Sequence, residues 1–103
     1  MNYMTNAFSI QMLNTTIAHN VSIEPIEPEQ VPSDCISAIG HADTAAVVSS
    51  ILNRTVDANR VSIRLTEQDT LFVAQLTGGR LPEGSTTLPE GFQIVFLKVQ
   101  VEA

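Results

Sequence analysis

Between Arg60 and Leu65 apolar and polar side chains alternate. Val61, Ile63 and Leu65 fall to one side, Ser62 and Arg64 to the other, the two-residue period of a half-buried strand. Thr70–Leu76 is apolar on both faces, and Thr66-Glu67-Gln68-Asp69 between the two runs carries turn residues. The pair predicts an antiparallel hairpin. Phe92–Val101 is a longer run with apolar residues on both faces, as expected of a strand flanked by others. Thr15–Ile23 is rich in β-branched residues and predicts a further strand, and Tyr3–Asn6 a short edge strand. The period changes over Asp43–Asn53, where Val47, Val48, Ile51 and Leu52 recur at spacings of three and four. That spacing predicts a helix with one apolar face, and Asp43 is suited to be its N-cap.

Shorter signals fill the gaps. Ser9–Leu13 predicts one or two helical turns, with Asn6 or Ser9 as cap, and a short helix is expected from Pro28. That second helix lies in a connection, 24–34, with three prolines and four acidic residues. Cys35–Ile39 is a short apolar run ending at Gly40. The expected fold class is α/β: a mixed sheet of about five strands with one main helix and one or two short ones. At 103 residues the chain has room for one core, so 1–103 is read as a single domain.

Composition narrows the function. No apolar run approaches the roughly 18 residues needed to cross a bilayer, and the N-terminus has no basic or apolar leader pattern. The single cysteine, Cys35, fits a reducing compartment, so a cytoplasmic location is expected. The net charge is −6, with five basic residues against eleven acidic. That balance argues against a duplex-DNA surface, which needs many phosphate contacts. It leaves room for a compact anion held by a few aimed groups.

Three places could hold such a group. In Ser37-Ala38-Ile39-Gly40-His41-Ala42-Asp43-Thr44 a strand-like run passes through glycine into a helix start, whose free amides and dipole favour an anion. Gly40 would let the backbone turn tightly and His41 would stand at the mouth. In the long stretch between the last two strand signals, Gly78-Gly79-Arg80-Leu81-Pro82-Glu83-Gly84 offers an accessible guanidinium and a carboxylate. Structureless connections of that length are uncommon unless functional or disordered. Leu-Pro-Glu-Gly occurs twice in it, at 81–84 and 88–91. Thr5-Asn6-Ala7-Phe8-Ser9 is a second strand-to-helix junction. Each has a purely structural counterpart: a surface histidine before a capped helix, a solvated turn with an ion pair, and plain capping. His19 reads as a structural histidine and Cys35 as a small core residue. No cysteine pair or histidine spacing marks a metal site, and the Walker and dinucleotide glycine patterns are absent.

Taken in order, Thr5–Ser9, Ser37–His41 with Thr44, Asn59-Arg60-Val61 and Arg80–Gly84 resemble the small viral and mobile-element ring nucleases that act as type III anti-CRISPR proteins. The resemblance implies a homodimer that binds cyclic tetra-adenylate and cuts it to linear di-adenylates without metal or other cofactor. His41 then falls on the general acid, and Arg80 and Glu83 on the active-site arginine and glutamate. Asn6, Ser9, Gly40, Thr44 and Arg60 are the expected ligand-binding positions. Two other outcomes fit the same residues: a non-catalytic sponge for a cyclic nucleotide, and a structural or protein-binding module of a mobile element.

Overall fold

The computed structural model describes residues 1–102. Its sheet is organised around β4 (Thr70–Thr77), whose residues Leu71, Phe72, Val73 and Ala74 are all buried. A strand apolar on both faces needs cover on both, and β4 has it. On one side runs β5 (Gln93–Glu102), antiparallel; on the other runs β1 (Asn2–Thr5), parallel. Two short or exposed strands close the sheet, β2 (Asn20–Ile26) beside β5 and β3 (Ile36–Ser37) beside β1. The order is β2-β5-β4-β1-β3. With α1 (Ala42–Leu52) and 3₁₀ turns at Ile10–Met12 and Pro28–Gln30, this is the expected α/β architecture. β5 takes its interior place as its two apolar faces require.

The two faces are covered differently. Met4, Phe72, Ala74 and Phe96 point toward α1 and pack with Ala45, Val48 and Ile39. Leu71, Val73, Val99 and Val101 point the other way and are covered by Leu13, Ile63 and Leu65. One face therefore has a regular helix as its lid and the other has a 3₁₀ turn and an extended strap.

Four expectations change. The 60–65 segment is not a strand and makes no hairpin with β4, because β1 and β5 already occupy both of that strand's hydrogen-bonding edges. Its alternation survives as burial: Ile63 and Leu65 enter the core while Val61 stays 48% exposed. Two bonds tie it to the 3₁₀ turn, Leu65 N–H to the Met12 carbonyl at 2.8 Å and the Arg64 guanidinium to the Gln11 carbonyl at 3.2 Å. β1 is interior rather than an edge, lying between β3 and β4 with Met4 and Thr5 buried. β2 begins at Asn20, later than Thr15, and runs through Pro25. An edge strand tolerates that proline because its missing N–H can fall on the unpaired side. Lastly, the N-cap of α1 is His41, in extended conformation, and not Asp43, which lies in the first turn. The helix ends as its sequence predicts, at Asn53 in the left-handed region.

Candidate functional site

The parallel strands β3, β1 and β4 all end on one side of the molecule. In open α/β sheets the crevice beyond the carboxyl ends of such strands is the usual place for a ligand. Here that crevice is an open cleft of about 940 Å³. Its floor comes from Asn6 and Ala7, just after β1, and Gln75 and Leu76 near the end of β4. One wall is the start of α1, with His41, Asp43 and Thr44; the other is the loop residues Gly79–Glu83.

His41 reaches the cleft because of its place in the chain. Its carbonyl accepts the Ala45 amide at 3.0 Å, opening the helix, while its side chain makes no capping bond. The imidazole is exposed beside the helix's unpaired amides and the positive end of its dipole. Arg80 and Glu83 are exposed on the facing wall, with no ion pair to any charged group among the described residues.

The Arg80–Glu83 wall is shaped by its repeated tetrapeptide. At both Pro82–Ser85 and Pro89–Phe92 the proline carbonyl accepts the amide three residues on, at 3.1 Å. Gly84 and Gly91, third in each turn, have φ of 82° and 84°, the positive value that a type II turn demands and that glycine supplies without strain. The base of the loop is closed by Gly78, at φ 103°. A Cβ there would lie 2.6 Å from the Gly91 carbonyl oxygen.

Of the sequence-predicted positions, Asn6, His41, Thr44, Arg80 and Glu83 share this cleft. Ser9, Gly40 and Arg60 do not line it. Ser9 caps the 3₁₀ turn, its Oγ accepting the Gln11 amide at 3.2 Å. Arg60 lies over Gly40, Nη2 donating to its carbonyl at 3.5 Å. A Cβ on Gly40 would meet only the Arg60 side chain, at 3.6 Å, and its φ is not positive, so the tight turn expected there does not require glycine. Neighbouring Asn59 stitches the approach to α1 by donating to the Ser37 carbonyl at 2.7 Å. Gln75 was missed, although it is the one polar break in the apolar run 71–76. The cleft role of Asp43 was also missed: its Oδ2 accepts the Gly84 amide at 2.7 Å. A helical first-turn carboxylate gives no sequence signal for a partner forty-one residues away.

A second cavity, about 120 Å³, lies on the helix side between Met4, Cys35, Arg54 and Val56. Its groups are not poised for chemistry. Arg54 donates to the Val31 and Pro32 carbonyls. The Cys35 thiol is pushed up to about 11, first by burial and then by Asp34, with Arg54 working against both; at neutral pH it is not a nucleophile. Cys35 is half-buried against the core rather than fully within it. His19 accepts its structural reading, a ring nitrogen lying 2.6 Å from the Asn14 carbonyl. Among the described residues no three His, Cys, Asp or Glu side chains gather as a metal site, and no helix is long and apolar enough to cross a membrane.

Fold and cleft together define a small α/β domain with a polar site at the carboxyl ends of its parallel strands. The chain belongs to the STIV B116-like family, which matches residues 2–97. It is similar in structure to B116 of Sulfolobus turreted icosahedral virus, with a TM-score of 0.77 and 26% sequence identity, over 96% of this chain and 97% of that one. No curated protein matches it.

Proposed function

We propose that this protein is a metal-independent ring nuclease for cyclic tetra-adenylate, acting in the cytoplasm of a cell in which a type III CRISPR system signals. One observation carries the reading: His41 shares an open cleft with Arg80 and Glu83, some forty residues away in sequence, and self-cleavage of RNA uses groups of these kinds. The 2′-hydroxyl oxygen of one adenosine attacks the adjacent phosphorus as its proton passes to the Glu83 carboxylate. The P–O5′ bond breaks, a 2′,3′-cyclic phosphate forms, and the leaving 5′ oxygen takes its proton from His41. Arg80 and the amides at the start of α1 stabilise the charge on the phosphorane. A second cut across the ring releases two linear di-adenylates. Asn6 and Thr44 contact the nucleotide.

A ring with repeated phosphodiesters matches a two-fold pair of such clefts, and the proposal includes a homodimer. An exposed apolar patch supports it. Ile23 is 56% and Val95 39% exposed, and the strand register puts them on the face away from α1 with Pro25 and Leu97. Val95 lies opposite Gln75, a cleft residue, so the patch adjoins the site.

Labelled ring incubated with the protein in EDTA should be cut to di-adenylates. His41→Ala should slow cleavage by about 10²–10⁴-fold, the usual worth of a general acid, with the fold intact by circular dichroism. Ring left intact after long incubation overturns the enzyme. Tight binding without cutting would then identify a sponge, and no binding a module of another kind. Light scattering should give twice the 11.1 kDa chain mass, and Val95→Lys should return the monomer.

A further inference from the structure

The strongest observation left over by that chemistry is the bond between Asp43 and Gly84. We propose that Asp43 is a positioning residue: its carboxylate pins the Arg80–Glu83 wall of the cleft to the first turn of α1. The role in turnover rests on the ring-nuclease reading; the pinning itself does not.

Among the described residues, loop positions 79–91 make only one hydrogen bond to another element, and it is this one. The other bonds within that stretch close its own turns, Ser85 N–H to Pro82 and Phe92 N–H to Pro89. In the Pro82–Ser85 turn the ring is closed by the first and fourth residues, which leaves the Gly84 amide free to point outward. Asp43 Oδ2 meets it at 2.7 Å, the short distance of a charge-assisted bond. Asp43 makes no ion pair among the described residues. The half-exposed carboxylate is favoured where it stands by the helix dipole.

The geometry also explains why an acidic residue stands in a cleft suited to an anion. A carboxylate repels a phosphodiester, so its presence weakens binding. What it contributes is placement. Glu83 immediately precedes the pinned amide and Arg80 lies four residues before it, so the bond sets how that segment faces His41. Charge and placement can then be separated by substitution. Asp43→Asn keeps an oxygen that can accept the Gly84 amide and removes the charge, whereas Asp43→Ala removes both.

Amide exchange and ¹⁵N relaxation on the ligand-free protein near pH 6.5 test the pinning. In Asp43→Ala the Gly84 amide should exchange about tenfold faster or more, as expected for losing a bond to a charged acceptor, and residues 79–85 should gain amplitude. Amides of α1 serve as the control for the fold, and Asp43→Asn should stay within about threefold of the parent, its neutral bond being the weaker. An unchanged Gly84 rate in a folded Asp43→Ala overturns the proposal, whether or not the protein cuts any ring.

Turnover of cyclic tetra-adenylate tests the consequence. Asp43→Ala should lower kcat about ten- to a hundredfold through misplacement of Arg80 and Glu83. Asp43→Asn should restore most of kcat and lower KM, more so at low salt where the lost repulsion counts most. Parent kcat in Asp43→Ala overturns the positioning role. If the parent itself cuts nothing, the ring-nuclease reading falls and the exchange experiment alone decides the pin.

Discussion

The two walls of the cleft are held by very different amounts of structure. The wall carrying His41 and Thr44 is the first turn of α1, whose Ala45, Val47 and Val48 are buried and which follows directly on the buried Ile39. The wall carrying Arg80 and Glu83 is a loop of two tight turns, closed at its base by Gly78 and tied across the cleft by one bond. Moving His41 requires disturbing the core, whereas the Glu83 segment is joined to another element by one hydrogen bond. A group backed by buried side chains costs more to displace than one on a loop with few bonds to its surroundings.

The rigid wall is most vulnerable from beneath. Ile39 is completely buried on the helix face just before α1, and Ile39→Ala should cost about 2–5 kcal/mol, the range for a buried isoleucine or leucine truncated to alanine. Leu81→Ala, on the loop and only half-buried, should cost less than about 1 kcal/mol. Urea unfolding of both variants checks the contrast, and equal losses would mean that the loop is part of the core.

Glycine substitutions separate the two regions at intermediate cost. Gly78→Ala places a Cβ 2.6 Å from backbone at a left-handed φ and should cost about 1–3 kcal/mol of local strain. Gly40→Ala, which meets only a flexible arginine side chain, should shift stability by about 0.5 kcal/mol or less. The thermal midpoints of the two variants measure the difference.

The smallest expected effect is far from both walls. Burial works to raise the Asp69 carboxyl, but bonds from the Thr66 amide and hydroxyl and the Met1 ammonium outweigh it and hold the group below its ordinary range. A carboxyl depressed in the folded state stabilises above its unfolded pKa, and that contribution is lost as pH falls through the folded value. Asp69→Asn should therefore lower the urea midpoint slightly at neutral pH, less than Gly78→Ala does. The two curves should converge in acid below the ordinary carboxylate range. Asp69 does not line the cleft, so the turnover proposed above should match the parent at neutral pH.

Much of this molecule is readable where the signal is local. The three-and-four spacing of Val47, Val48, Ile51 and Leu52 places α1 to within a residue or so of its observed ends. The two apolar faces of 92–101 correctly imply an interior β5. The alternation of 60–65 reports burial of Ile63 and Leu65 accurately, yet it misreports hydrogen bonding, because side-chain periodicity says nothing about which backbone edges are free. β1 misleads for the related reason that four mixed residues carry little apolar signal, although the strand is paired on both sides. Five of the eight site positions meet in one cleft. Ser9, Gly40 and Arg60 serve the frame around it, since capping and ligand contact draw on the same residue types.

Local sequence pattern is enough for some of the pieces: the helix and its end at Asn53, and the interior strand β5. These follow from interactions among residues a few positions apart, which recur wherever the same pattern is written. Only the tertiary structure decided that β1 and β5 take both edges of β4, leaving 60–65 to lie across the face as a strap. It also brought His41 opposite Arg80 and Glu83 and set Asp43 against Gly84. Those outcomes depend on competition among distant segments for a limited number of hydrogen-bonding edges and amides, and no short stretch of chain records which competitor prevails.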